Sequence, residues 1–211
     1  DFWATNRNET AVDINGIKLI IRTKNFFAKS PDMSMAYECI IKDDYKLRHL
    51  NANGGFIVDI GAHIGSFALA AAKKFQNSKI LCFEPSPASY AVLKKNIDLN
   101  KVKNVKAFNM AVSSKNGEVS FYIDSINSAA NSMYKSKGFS VKVPSITLDI
   151  IFKDNKIKKC AFVKMDCEGA EYDILLNTNR KILKRINSMI IEYHVPQYFG
   201  IKNKKYTINN L

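Results

Sequence analysis

One ten-residue stretch, Phe56-Ile57-Val58-Asp59-Ile60-Gly61-Ala62-His63-Ile64-Gly65, restricts the fold more than any other part of this 211-residue chain. An apolar run ends in an acid, a glycine turn follows, and a helical pattern opens near Ile64. Downstream, short apolar runs keep alternating with helix-period segments, which is the pattern of βαβ units around a mostly parallel sheet. The predicted strands are 56–60, 79–84, 104–109, 161–165 and 188–194. The predicted helices are 64–76, 87–99, 168–177 and 179–186. Residues 117–123 and 139–151 read as extra strands, with a polar loop at 124–138 between them. Residues 1–50 read as an N-terminal appendage, with a hairpin over 12–21 turning at Asn15-Gly16 and a helix over 33–50. Residues 51–211 then form the main α/β domain.

Open α/β sheets bind ligands outside the carboxyl ends of their strands, so the turn after residue 60 is the first place to look. Gly61 allows a sharp bend and a close approach to the backbone. Gly65 allows tight contact between helix and strand, and the helix start aims free N–H groups into the crevice. The spacing is G-x-x-x-G, and His63 stands where G-x-G-x-x-G has its second glycine, the one that makes room for a pyrophosphate. Asp59 would also repel phosphates, yet it suits an ammonium group. Phe83-Glu84-Pro85 ends the second strand with a carboxylate placed to accept both ribose hydroxyls of an adenosine. Together these residues point to S-adenosylmethionine, which carries an ammonium and a sulfonium but no phosphate. The plainer alternatives are a turn cap for Asp59 and an exposed strand-end charge for Glu84.

Composition adds boundaries. Hydrophobic residues make up 46% and charged residues 24%, as in ordinary globular domains. No apolar run is long enough for a membrane span. The chain begins at Asp1, which reads as a processed or trimmed start, and shows no basic-then-apolar signal segment. Cys39, Cys82, Cys160 and Cys167 lack C-x-x-C spacing and read as reduced thiols of a cytoplasmic protein. The net charge of +13 is unusual. It gathers at 156–159, 180–185 and 202–205, and reads either as solvated helix faces or as an attraction for nucleic acid, anionic membrane or phosphorylated substrates.

Four stretches carry a resemblance to the FkbM family of methyltransferases, over about residues 56–195. They are Val58 to Gly65, Phe83-Glu84-Pro85-Ser86-Pro87, Thr147-Leu148-Asp149, and Lys164-Met165-Asp166-Cys167-Glu168-Gly169-Ala170-Glu171. Asn109 to Ser113 and Ile191-Glu192-Tyr193-His194 add to it. The resemblance implies a class I, Rossmann-like methyltransferase fold. It also implies methyl transfer from S-adenosylmethionine to a hydroxyl on a sugar or small natural product. The cofactor contacts expected on this basis are Asp59, Gly61, Ala62, His63, Gly65, Glu84, Pro85, Asn109, Ala111 and Asp166, with the 109–111 turn near the adenine. The family usually has Asn where this chain has His63. A complete class I sheet ends in a strand hairpin after strand five, whereas about fifteen residues follow Val195 here.

Methyl transfer is an in-line displacement, so positioning carries much of the rate, and an alcohol acceptor gains from a nearby base. Asp166 ends strand four, and Glu168 and Glu171 open the following helix. Glu192 and His194 alternate along the predicted strand five and should share a face. Glu168 and His194 are the first choices for the base, with Asp166 near the methyl and the cofactor amine. Helix capping is the rival reading for Asp166, Glu168 and Glu171. A magnesium ion on Asp166, Glu168 and Glu192 is a further alternative, but no ligand spacing specifies one, so no metal is expected. The expected partner is a small-molecule or saccharide acceptor, its pocket shaped by 1–50 and 124–138. Rival functions are an RNA methyltransferase, a non-catalytic S-adenosylmethionine-binding module, and, weakest because of the glycine spacing, a nicotinamide-dependent dehydrogenase.

Overall fold

Five strands dominated by apolar residues assemble side by side because helices cover both of their faces. They are β4 (Phe56–Ile60), β5 (Lys79–Phe83), β6 (Val105–Phe108), β10 (Cys160–Met165) and β11 (Met189–Ile191). The computed structural model describes residues 2–6, 8–23, 30–52, 54–123, 131–134 and 139–195. All four strand pairings are parallel, in the order β11-β10-β4-β5-β6. The chain moves outward one way from β4 to β6 and then crosses to the other side for β10 and β11. This places the topological switch point between β4 and β10, as in the class I methyltransferase fold. Among the described residues the sheet ends at β11.

The period of two along each strand sorts the core into two layers. Ile57, Ile80, Cys82 and Phe162 pack under α2 (Ser66–Lys74) and α3 (Pro87–Asn100). Val58, Ile60, Leu81, Phe83, Val163 and Met165 pack on the opposite face with α4 (Leu148–Asp154) and α5 (Glu171–Asn177). A short α6 (Arg180–Leu183) leads into β11. A small sheet, β7-β9-β8, stands beside the main one, formed by β7 (Ala111–Val112), β8 (Gly117–Ile123) and β9 (Phe139–Ile146).

The N-terminal hairpin forms as expected. Strands β1 (Phe2–Asn6), β2 (Glu9–Ile14) and β3 (Ile17–Arg22) pair antiparallel, and Asn15 and Gly16 both take positive φ (54° and 73°), as a two-residue hairpin turn demands. Val12, Ile17, Leu19 and Ile21 join the α2/α3 core layer. Two side-chain amides of α3 serve β3 as a neighbouring strand would. Asn96 accepts from Ile20 N (2.6 Å) and donates to Ile20 O (3.1 Å), and Asn100 does the same for Lys18 (2.9 and 2.6 Å).

Several elements differ from expectation. The helix anticipated over 33–50 is α1 (Pro31–Ala36) continuing as π-helical turns over Tyr37–Lys42. It stops at Asp43, which is left-handed (φ 58°) and whose carboxylate accepts from Arg48 N (3.0 Å) to open a short 3-10 turn at Leu47–His49. The strand anticipated over 139–151 ends at Ile146, because Thr147 caps α4 by accepting from Ile150 N. β11 ends at Ile191, so Glu192 and His194 follow the strand and do not alternate on it. Helices α2, α5 and α6 are all shorter than their sequence patterns. Of the polar loop at 124–138, only 131–134 fall within the described residues.

Candidate active site

A crevice opens at the carboxyl ends of the sheet strands. It is lined by Met35, Ile60, Gly61, His63, Phe83, Glu84, Pro85, Ala111, Val112, Phe121, Asn131, Met133, Asp166, Cys167, Glu168 and Glu192. Of the residues singled out from sequence, Gly61, His63, Glu84, Pro85, Ala111, Asp166 and Glu168 line it. Asp59, Ala62, Gly65, Asn109 and His194 do not.

On the β5 side the backbone does most of the holding. Glu84 follows β5, and its own N–H bonds to Phe108 O (3.1 Å). Its carboxylate accepts from His63 N and from Ser86 N, each at 2.8 Å, one bond to each oxygen. A carboxylate offers about four acceptor sites, so acceptors remain for a ligand in the crevice. Burial pushes the Glu84 carboxyl up to about 7, against the pull of these two N–H groups. Asn109 stands behind, donating to the carbonyls of Glu84 and Pro85 (2.8 and 3.1 Å). Gly61 N and Ala62 N both bond to Phe83 O. Gly61 has φ 78°, and a Cβ there would lie 1.7 Å from the Asp166 carbonyl oxygen, so glycine is required by the neighbouring loop. At Gly65 (φ 92°) a Cβ would lie 2.5 Å from Leu93 Cδ1, so this glycine lets α2 meet α3, where a helix–strand contact was expected.

His63 is left-handed (φ 51°), and its ring is held by Arg22 and Asp32. Its Nε2 lies 3.1 Å from Arg22 Nη2 and 3.2 Å from Asp32 Oδ1. Burial takes the His63 pKa down to about 4, so the ring is neutral. Burial works to raise the Asp32 carboxyl, but hydrogen bonds from Arg22, with His63 adding its charge only at the acid pH where its ring is protonated, outweigh it and hold Asp32 below its usual range.

Asp59 is fully buried within β4, behind the crevice wall. Burial pushes its carboxyl up to about 6, opposed by Lys164, whose Nζ is 3.6 Å away. Lys164 is itself almost wholly buried in β10. Its Nζ donates to Gly61 O (2.8 Å), lies 3.4 Å from Asp166 Oδ2, and sits 5.0 Å from the centre of the Tyr45 ring. Burial disfavours its charge, but Asp166 and Asp59 outweigh that and raise its pKa.

On the β10–β11 side, side chains from distant segments do the holding. The Tyr45 hydroxyl lies 2.9 Å from Asp166 Oδ2 and 3.1 Å from Glu192 Oε2. Glu168 (φ 53°) and Gly169 (φ 98°) form a left-handed turn, and Ser132, which bridges to Tyr122 of β8, donates to Glu168 O (2.6 Å). Glu171, fully buried, accepts from Cys167 N and Gly169 N, and its Oε1 is 3.0 Å from His194 Nδ1. The other ring nitrogen, Nε2, is 3.5 Å from Glu168 and 3.8 Å from Glu192. Burial works to lower the His194 pKa, but the Glu171 bond and the carboxylates around it win and raise it to about 9. Glu168 is pushed up to about 7, by burial first, with His194 opposing and Asp166 adding. Burial and then Asp166 also raise Glu192. Asp166, Glu192 and His194 bring one donor atom each within 4.8 Å of one another, a grouping that differs from the three carboxylates considered from sequence.

Tyr45, Lys164, Arg22 and Asp32 were missed from sequence. Only Lys164 carried a usable signal: a lone cation inside the apolar run Ala161-Phe162-Val163-Lys164-Met165 is costly unless paired.

The fold and this crevice define a class I methyltransferase. Residues 59–205 match the family model described as the Methyltransferase FkbM domain, and the chain belongs to that family. Three relatives are similar. Methyltransferase 1 of Beauveria bassiana is 26% identical over 65% of this chain and 64% of its own length. Methyltransferase sdnD of Sordaria araneosa is 30% identical over 72% and 71%. Hexuronic acid methyltransferase AglP of Haloferax volcanii is 30% identical over 64% and 54%. The matches therefore take in only 54–71% of the relatives' own lengths. S-adenosylmethionine is the cofactor of this family. The donor set fits it, since Glu84 keeps acceptors toward the crevice for ribose hydroxyls and the far wall is rich in carboxylates for a cationic centre.

Proposed function

We propose that this chain transfers a methyl group from S-adenosylmethionine to a hydroxyl on a sugar or small natural product, with Glu168 as the general base. The observation that carries the reading is one crevice walled by two kinds of acid. Glu84, fixed by backbone N–H groups, suits the adenosine end, and Glu168, with its carboxyl near neutrality, suits a proton in transit. Bound S-adenosylmethionine supplies the electrophilic methyl on a sulfonium. Residues Gly61, His63, Pro85 and Ala111 line the cofactor side. Asp166 would hold the amine and sulfonium ends of the cofactor.

Glu168 takes the proton from the acceptor hydroxyl at Oε1 or Oε2. His194, a cation at neutral pH on account of its carboxylate neighbours, orients Glu168 and cannot itself accept a proton there. In this reading the two residues that the sequence put forward together take different roles. The name of AglP, a hexuronic acid methyltransferase, supports a saccharide hydroxyl as acceptor.

The test uses methyl-labelled S-adenosylmethionine with a panel of monosaccharides, hexuronic acids and hydroxylated natural products. Label should pass to a hydroxyl oxygen of at least one acceptor, and S-adenosylhomocysteine should bind by calorimetry. Binding of S-adenosylhomocysteine with no transfer to any acceptor would favour a binding module, and tighter binding of NAD would overturn the cofactor assignment.

A further inference from the structure

Parallel strands send all their amino ends to one side of the molecule, and that side has the opposite charge from the crevice mouth. Two adjoining depressions lie there, at the starts of β5 and β6 and beside the last turn of α2, and they share Lys103 and Asn104. Five lysines line them: Lys73, Lys79, Lys101, Lys103 and Lys106, all exposed. Among the described residues neither depression is lined by an Asp or Glu. The turn carrying Lys156, Lys158 and Lys159, also exposed, follows Asn155 at the rim of the second depression. At the carboxyl end, by contrast, the crevice presents Glu84, Asp166, Glu168 and Glu192. A molecule polarised in this way turns its lysine end toward any anionic surface and its acidic mouth away from it.

We infer that the amino-end face docks this protein on the surface of an anionic lipid bilayer, without insertion, leaving the crevice mouth open to water. The chemistry favours a field of headgroups over RNA. All five cations are lysines, compact point charges without the fork that arginine offers to a phosphate. Among the described residues, the rings beside the depressions are not free to stack on a base, because Phe75 is buried and the half-buried Phe56 lies under the ammonium group of Lys79 at 5.7 Å. Each lysine near an anionic leaflet strengthens attachment by roughly fivefold, so the five together suffice for reversible, salt-sensitive binding. The inference stands whether or not the methyl-transfer reading holds.

The test is cosedimentation of the full chain with vesicles of phosphatidylcholine, alone or mixed with phosphatidylglycerol, over a range of salt. Binding should require phosphatidylglycerol and fade as salt rises. The triple variant Lys79→Glu, Lys103→Glu, Lys106→Glu should bind at least about a hundredfold more weakly. Its S-adenosylhomocysteine affinity should match that of the unaltered protein, which shows that the variant is folded. Equal binding to both vesicle types, or a triple variant that binds as well as its parent, overturns the inference. So does tight binding to a labelled RNA that the triple variant loses, with vesicles left unbound.

Discussion

The two walls of the crevice hold their carboxylates by different means. Glu84 on the β5 side is fixed by N–H groups of residues within its own turn and the neighbouring glycine loop, so its position follows from local chain geometry. Glu168, Asp166 and Glu192 on the β10–β11 side depend on Tyr45, Glu171 and His194, side chains from three separate segments. A wall held by backbone keeps its shape under most substitutions. A wall held by side chains can be loosened by one, and its protons are tuned by neighbours that themselves titrate.

The largest expected effect breaks the side-chain wall alone. Glu168→Gln should lower the transfer rate by about 10²–10⁴-fold. S-adenosylhomocysteine affinity measured by calorimetry should stay within about twofold of the parent. In the unaltered protein the rate should rise with pH through about 7 as the Glu168 carboxyl ionises, and the variant should lack that limb. A normal rate in the variant would place the base elsewhere.

Tyr45→Phe keeps the ring against Phe67 and removes the hydroxyl shared by Asp166 and Glu192. Chemical denaturation should show a loss of about 1.5–3 kcal/mol, the usual range for a hydrogen bond to a charged group. S-adenosylhomocysteine affinity should fall by less than in Glu84→Ala, which contrasts the two walls directly. Glu84→Ala should do the reverse, weakening S-adenosylhomocysteine by at least about tenfold while leaving the Glu168 cluster intact. Unchanged affinity would remove the adenosine end from this wall.

The smallest effect concerns His194, whose folded pKa of about 9 lies above the usual histidine value of about 6.5. Its protonated form therefore stabilises the fold fully below about pH 6.5, and that contribution disappears as pH rises through about 9. The melting temperature of His194→Ala should fall furthest below the parent's near pH 6, and the gap should close by pH 10. A gap that does not vary with pH would deny the imidazolium its charge in the native state.

The same contrast explains what could be read from the chain. The βαβ alternation, the Asn15-Gly16 hairpin and the Glu84 turn are local patterns, so periodicity and glycine placement revealed them. The break at Asp43 escaped notice because the apolar spacing through 33–50 continues past it, and what stops the helix is a carboxylate reaching forward to Arg48 N. Thr147-Leu148-Asp149 held a cap signal that the β-rich residues before it obscured. Tyr45 lies 121 residues from Asp166 and 147 from Glu192, and no local pattern marks such a partner. Asp59 was legible as an acid at a strand end, yet its direction was not. The period of two turns it to the Lys164 side of the sheet, away from the crevice.

Gly61 has one more consequence. With no room for even a methyl group between it and the Asp166 carbonyl, the loop after β4 and the loop after β10 interlock like a key in its slot. Whatever seats itself on the first loop must steady the second. Cofactor should thus bind before acceptor, and the acceptor should find its half of the site already set.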